Sequence, residues 1–494
     1  MKYLLVWCSL FWGIIFNTSA QTKTHDINQL YPVKELRQDL KFLHKALKEA
    51  HPSLYWYTTK DSLDYYFKTV YGQINQPMPE RKFYRLVAPL LNQVRCGHTS
   101  LLPSKAYELS PQKPKPTYLP FEIWLDNDRL FVIKNNTADS TIIPGDEILS
   151  INGFAITTIV AKARTLLPAD GYNQTFKQYF MNWYFLEEVA WEYFGNREPF
   201  KLTLAGSSGR VENKIVYRKK KAPGAVLATK QEGQAGQSNK DALQVVRNFR
   251  ILPDVPAAAV LTLNGFNYDD APIFHKQVFR ELAQQDIRYL VIDLRQNPGG
   301  NLAYSNDLLG YLRDTTFAQV HEMWATLRHP EKPSFYPYFN EQTKKLLLAN
   351  STFARAASGK YYFNTDNVGP QKLHAENRFQ GKIYVLTGGF TFSAGSLLAA
   401  SLKGLPNVTV IGQETGGGQA GCSGGIIQLL TLPNTGLRVK FPQFRIVSVS
   451  KDPNTGHGVY PDYPVTYTFQ DKAGRKDLEL EKAINLICNS SGAE

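Results

Sequence analysis

The sequence predicts a multi-domain α/β protein, and three patterns carry that expectation. Beyond about residue 244, short apolar runs that read as buried strands alternate with segments of helical period. Between 118 and 218, alternating runs are separated by turn signals. From about 28 to 110, apolar residues recur at helical spacing. A chain of 494 residues is also too long for one ordinary core. Hydrophobic content of 43% with 20% charged residues describes a globular chain. The formal charge of +13 comes from scattered Lys and Arg, with one tight run from Arg218 to Lys221. No nucleic-acid motif accompanies it, so the charge reads as a solubility device and no nucleic-acid partner is expected.

Taken in order, residues 1–20 carry an early Lys2, an apolar run from Tyr3 to Phe16 and a small-residue end at Ala20. That is the layout of a secretory signal peptide, and the apolar run is short for a membrane span. The expected mature protein is exported, periplasmic or secreted, with no stable span. Cys96, Cys422 and Cys488 remain beyond this segment. Three thiols allow at most one disulfide, and no Cys/His spacing resembles a zinc site; neither metal nor cofactor is expected. Residues 21–110 read as a helical region, with helices over Leu36–Leu47, Asp61–Tyr71 and Glu80–Val94, ending in Cys96-Gly97-His98-Thr99. On its own His98 reads as an ordinary loop histidine. Residues 103–117, rich in Pro and Lys, read as a linker.

Leu119–Leu125 and Arg129–Ile133 alternate like paired strands around Asp126-Asn127-Asp128, and Glu147–Ile151 precedes the hairpin signal Asn152-Gly153. This string, with Pro144-Gly145 before it, resembles the PDZ domain pattern, which implies a small β-rich module able to bind a peptide tail at a sheet edge. The expected module spans 118–218 and carries an aromatic, helical insertion from about 156 to 196. Residues 219–243 read as a linker, which leaves 244–494 as the last domain. There Ala258–Asn264, Tyr289–Leu294, Ile383–Leu386 and Val408–Ile411 read as strands, and Ala271–Gln285 and Ser305–Arg313 as helices. Residues 316–380 read as irregular and aromatic.

Two turns in this last domain are chemically suggestive. Gly299-Gly300 follows a buried strand, where adjacent glycines let backbone N–H groups face a ligand. Ser393 lies between the strand Ile383–Leu386 and a helix-like run from Ser396. A serine there is either a helix cap or a nucleophile placed at the positive end of the helix. The motif is not G-x-S-x-G, because Thr391 stands where the first glycine would be.

In their order, Cys-Gly-His98-Thr, the PDZ-like string, Asp293-Leu-Arg-Gln-Asn-Pro-Gly-Gly300, Thr391-Phe-Ser393-Ala, Glu414-Thr-Gly-Gly-Gly418 and Gly458-Val-Tyr-Pro-Asp462 resemble the C-terminal processing peptidases and the related tricorn-core proteases. The resemblance covers most of the chain after the signal. It implies a crotonase-like β/α spiral core with Ser393 as nucleophile. It also implies an oxyanion hole from the backbone N–H of Ala394 and of Gly299 or Gly300. One branch of the family places a lysine in a Gly-Lys-Gly downstream; here that place reads Gly416-Gly417-Gly418, and Lys403 is a poor substitute. The tricorn-like branch implies His98 as general base. The serine that precedes the histidine there is replaced by Gly97. For the orienting carboxylate, Glu414 and Asp452 are the candidates. The implied activity is exported serine peptidase action on peptides or unfolded protein tails. Two rivals are a catalytically degenerate peptide-binding scaffold and an acyl-ester hydrolase.

Overall fold

The computed structural model describes residues 26–195, 197–206, 209–218, 246–327, 329, 331–349, 353–355, 360–363, 365–450 and 455–491. The expected signal peptide, the 219–243 linker and Asp452 lie outside the described residues.

The α/β expectation holds. Five parallel strands, Ala258–Leu263, Tyr289–Asp293, Lys382–Thr387, Val408–Gly412 and Tyr463–Pro464, form one sheet in that spatial order, with Arg247–Ile251 antiparallel at one edge. Their runs are apolar on both faces because both faces are covered. Ile292, Val385 and Val410 pack beneath the helices Ala271–Gln284, Leu302–Leu312 and Ala394–Leu402. On the other face, Val291, Tyr384 and Ile411 meet Ala483 and Ile487 of the helix Leu478–Ser491. In sheets of this kind the ligand crevice lies beyond the carboxyl ends of the strands. The loops leaving Asp293, Thr387 and Gly412 are the ones that hold the two suggestive turns and the Glu414–Gly418 segment.

A second, antiparallel sheet runs Phe353–Arg355, Tyr361–Phe363, Val320–Ala325, Arg438–Ser448, Gly421–Thr431. Three of its strands fall within residues 316–380, read from sequence as irregular. Their short, aromatic stretches lack a clean alternation because the strands are only three to six residues long. The strand Ser100–Leu102, just after His98, joins this sheet along Arg438–Lys440. The N-terminal helical region is thus stitched into the C-terminal half of the chain.

That region is held by its own apolar stripe. Leu36, Leu40, Leu43 and Leu47 of the helix Val33–Ala50 are all buried, each contributing about 1.5–3 kcal/mol of burial. The buried Asp39 carboxylate accepts the backbone amides of Asn434 and Thr435 at 2.9 and 2.8 Å and the Thr435 hydroxyl at 2.6 Å. This pins the helix to the turn between the two long strands. The 103–117 segment holds a short helix, Lys105–Leu109, capped by Ser104, whose hydroxyl accepts the Tyr107 amide at 3.0 Å. The Pro/Lys-rich composition around it masks this capped turn.

The segment with the PDZ-like string forms a five-strand antiparallel sheet, Phe121–Asp126, Arg129–Asn135, Glu147–Ile151, Phe200–Ala205, Val211–Val216, with Phe154–Ala155 hairpinned onto the third. The insertion between the third and fourth strands is helical over Ile156–Leu166 and from Thr175 to Phe194. Between those helices a loop, residues 167–174, leaves this unit and enters the crevice of the parallel sheet. Among the described residues no helix is long and apolar enough to cross a membrane.

Candidate active site

The Ser393 turn is built by its neighbours. The strand Lys382–Thr387 ends where the Thr391 hydroxyl donates to the Leu294 carbonyl at 2.7 Å and accepts the Gly388 amide at 3.0 Å. Thr391 is fully buried, so the residue that breaks the glycine motif is the one that closes the turn. The Phe392 amide donates to the Asn297 carbonyl at 2.9 Å, and the Ser396 hydroxyl to the Thr391 carbonyl at 2.7 Å. These bonds hold Ser393 at φ 51°, ψ −125°, a conformation costly for a residue with a side chain and characteristic of a strand-to-helix nucleophile turn. Ser393 occupies the N-cap position of the helix Ala394–Leu402, yet its side chain makes no capping hydrogen bond. The capping reading therefore lacks the bond that defines it.

Gly299 packs directly against this turn. A Cβ at Gly299 would lie 2.7 Å from Ser393 Cβ and 2.8 Å from the Ala394 nitrogen. Gly299 and Gly300 adopt φ of 99° and 133°, which only glycine takes up without strain. The Gly299 amide donates to Asn297 Oδ1 at 2.8 Å, while Asn297 Nδ2 donates to the Leu263 carbonyl at 2.9 Å. Asn297 is completely buried and locks the glycine pair to the sheet. The amides of Gly300 and Ala394 have no other acceptor among the described residues.

His98 arrives from the N-terminal region on the loop before Ser100–Leu102. Its ring lies 4.7 Å from that of Phe392, the residue preceding the serine. Burial pushes the imidazole below its ordinary value, opposed by the negative charge of Asp170. Cys422 completes this cluster. Its thiol is within hydrogen-bonding reach of the Ser393 side chain, and burial pushes it up to about 12. A Cβ placed on Gly424 would lie 3.5 Å from Cys422 Sγ and 3.7 Å from His98 Cε1. The buried Cys422 thus lies beside both His98 and Ser393, which are themselves half-buried.

The other sequence candidates stand elsewhere. Glu414 Oε1 accepts the Gly458 amide at 2.7 Å and lies 3.3 Å from His457 Nδ1, so its carboxylate is engaged by His457 rather than His98. Lys403 forms an ion pair with Asp462 at the helix end. Asp452 is outside the described residues.

The carboxylate that does face His98 is Asp170, on the loop between the insertion helices. The stretch Pro168-Ala169-Asp170-Gly171 carries only a turn signal, so nothing in the sequence marks it for a site. Gly171 donates to the Arg95 carbonyl at 3.0 Å, and Tyr172 to the Gly456 carbonyl at 2.7 Å. Asn173 Nδ2 donates to the Thr415 carbonyl at 2.8 Å, and Thr175 Oγ1 to the Glu414 carbonyl at 2.9 Å. Four contacts thus tie this loop to the His98 loop and to the segments around Glu414 and Gly456. Phe176 follows, its ring 4.7 Å from that of Phe392.

Residues 257–465 match the family model of Peptidase family S41. No curated protein sequence matches the chain. Among solved structures, mature CPAF complexed with lactacystin aligns with a TM-score of 0.59 at 16% identity, over 94% of this chain and 99% of that one. A second structure of mature CPAF gives 0.58 at 17% identity, over 92% and 97%. The photosystem II D1 C-terminal processing protease aligns over 92% of this chain and 97% of its own, at 15% identity and a TM-score of 0.39. The two CPAF structures show a shared fold across nearly the whole chain.

Proposed function

We propose that the chain, whose residues 257–465 match the model of Peptidase family S41, hydrolyses peptide bonds through an acyl-enzyme on Ser393 with His98 as general base. The observation that carries this reading is the backbone of Ser393, held at φ 51° and ψ −125° with its side chain unused as a cap. Burial supports it by keeping His98 neutral, the form that can take a proton.

In the proposed reaction Ser393 Oγ attacks the substrate carbonyl carbon while its proton passes to His98. The carbonyl oxygen becomes an oxyanion facing the amides of Ala394 and Gly300, the two donors left without another acceptor. Gly299, whose amide is engaged by Asn297, serves as the close-packed hinge beneath the serine. The C–N bond then breaks, and His98 returns the proton to the departing amine. Water, deprotonated by His98, attacks the ester, and Ser393 leaves with the proton. The substrates in this reading are peptides or unfolded protein tails, and the character of residues 1–20 supports export to the periplasm or beyond.

The test is intact-mass spectrometry after exposure to a fluorophosphonate, comparing wild type with Ser393→Ala and His98→Ala. One adduct on wild type, absent from both variants, is the expected result, with turnover of a peptide panel exceeding that of an ester panel. An adduct that persists in Ser393→Ala would overturn the assignment of the nucleophile.

A further inference from the structure

Two buried polar atoms in the site have no partner among the described residues: His98 Nδ1 and Asp170 Oδ2. A buried polar atom left unpaired is costly, so each calls for an explanation. Asp170 is 3% exposed. Its Oδ1 accepts the amide of Gly97, the residue before His98, at 2.7 Å. The carboxylate is therefore anchored on one oxygen beside the histidine, with the other oxygen free.

Gly97 explains how the approach is possible. A Cβ there would lie 2.6 Å from Phe392 Cζ and 3.3 Å from Asp170 Oδ1. A residue with a side chain at position 97 would separate His98 from both the serine turn and the carboxylate. The serine of the tricorn-like pattern is absent at this place, and Asp170 fills the gap from a different loop.

We infer that Asp170 is the positioning residue of the site: the two orphaned atoms are not bonded to each other in this structure, and when the imidazole turns toward the carboxylate Asp170 Oδ2 accepts His98 Nδ1–H, which fixes the tautomer that leaves Nε2 bare for Ser393. This rests on the reading of His98 as the base. Asp170 touches neither substrate nor serine in this role; it acts through His98 and stabilises the imidazolium that forms during attack. The other titratable groups around the pair keep one charge state across the working range. Cys96, from the same loop as His98, and Cys422, from the strand Gly421–Thr431, are both pushed up to about 12 by burial and stay neutral. Tyr57 is likewise pushed up to about 12. Arg445, 1% exposed on the strand Arg438–Ser448, opposes the rise that burial gives the Asp170 value.

The decisive comparison uses the full mature chain as wild type, Asp170→Asn and Asp170→Glu, each checked for its thermal midpoint. In Asp170→Asn the fluorophosphonate labelling rate should fall about 10³- to 10⁴-fold, and its acid limb should move to lower pH because a charge that raises the His98 value is gone. Asp170→Glu should restore part of the rate. A merely structural role would lower the thermal midpoint and leave the acid limb where it is. Labelling of Asp170→Asn at the wild-type rate would overturn the proposal. A second measurement needs neither activity nor a folded Asn variant: ¹⁵N NMR of His98 in Ser393→Ala, with Asp170 intact. A proton on Nδ1 is expected; a proton resident on Nε2 at neutral pH would overturn it. If wild type fails to label while His98 carries its proton on Nδ1, the nucleophile assignment fails and the Asp170–His98 pairing stands.

Discussion

The turn at 387–402 and the loop at 167–176 both converge on the site, and they do so by different physics. The first is local. Thr391 and Phe392 bond to the neighbouring Leu294–Asn297 loop and Ser396 to Thr391, and the strand and helix on either side have the apolar period that predicts them. The second has no regular structure of its own before Thr175. It is held by partners far away in sequence: Arg95, Glu414, Thr415 and Gly456. A loop that makes few bonds to itself takes its shape from what it packs against. The contrast teaches that the Ser393 turn is a property of a segment, while the placing of His98 and Asp170 beside it is a property of an assembly.

After the substitutions of Ser393 and Asp170 themselves, the largest effect is expected from Gly299→Ala, which attacks the local side. The new Cβ would meet Ser393 Cβ at 2.7 Å and the Ala394 nitrogen at 2.8 Å, at a φ of 99° that alanine resists. Disturbing one oxyanion donor costs on the order of 10²- to 10³-fold, so labelling by fluorophosphonate should drop by at least about that factor. Unchanged labelling would mean that the turn tolerates far more movement than its packing implies.

Next comes the docked loop. Gly171 has φ 59°, and a Cβ there would fall on the backbone of Gly456. Gly171→Ala should push the loop out of the crevice, slow labelling by roughly 10- to 100-fold and destabilise the chain by about 1–3 kcal/mol. Gly153 is the control. It also has a positive φ, 86°, but a Cβ placed there on the hairpin would meet nothing within 4 Å. Gly153→Ala should cost about 1–2 kcal/mol in denaturant unfolding and leave labelling alone. Equal labelling losses in both would erase the distinction between the regions.

Asn173→Ala probes the same loop more gently. It removes the bond to the Thr415 carbonyl and the acceptor for the Phe176 amide at 2.9 Å, both buried. A loss of about 1–3 kcal/mol in stability is expected, with a smaller effect on labelling than Gly171→Ala.

The smallest effects are read by pH. His98 lies below its ordinary value of 6.5 through burial, so its neutral form persists into mildly acidic solution and the acid limb of labelling should fall below pH 6.5. His51, buried behind the site and bonded to Thr99 Oγ1 at 3.0 Å, is lowered to about 3. A base with a depressed folded value favours folding fully above its unfolded value of 6.5 and loses that contribution as pH falls toward 3. The thermal midpoint should therefore decline between about pH 6.5 and about pH 4, and His51→Gln should flatten part of that slope.

How legible each part is in the sequence follows from the same contrast. The parallel strands, the Gly299-Gly300 turn and the Ser393 turn can be read because each is written as a contiguous pattern of apolar period and turn chemistry. The short strands inside 316–380 and the capped turn at Lys105–Leu109 cannot. Their runs are too brief for a period to stand out from composition. Glu414 is a reasonable candidate by position in the chain, but its carboxylate is taken by the Gly458 amide and His457. Asp170 escapes a reading of the sequence because one aspartate before a glycine, in an aromatic insertion, looks like a surface turn.

By itself the sequence determined the α/β class, the strand-turn-helix that holds Ser393, and the glycine pair beside it. These depend on residues within a few positions of one another, where backbone sterics and hydrophobic period act. Only the tertiary structure decided that His98 faces that turn, that the Gly299 amide belongs to Asn297 while Gly300 and Ala394 keep theirs, and that Asp170 stands behind the histidine. His98, Asp170 and Ser393 come from three separate parts of the chain. Their arrangement is fixed by burial and by hydrogen bonds that form only once those parts have packed together.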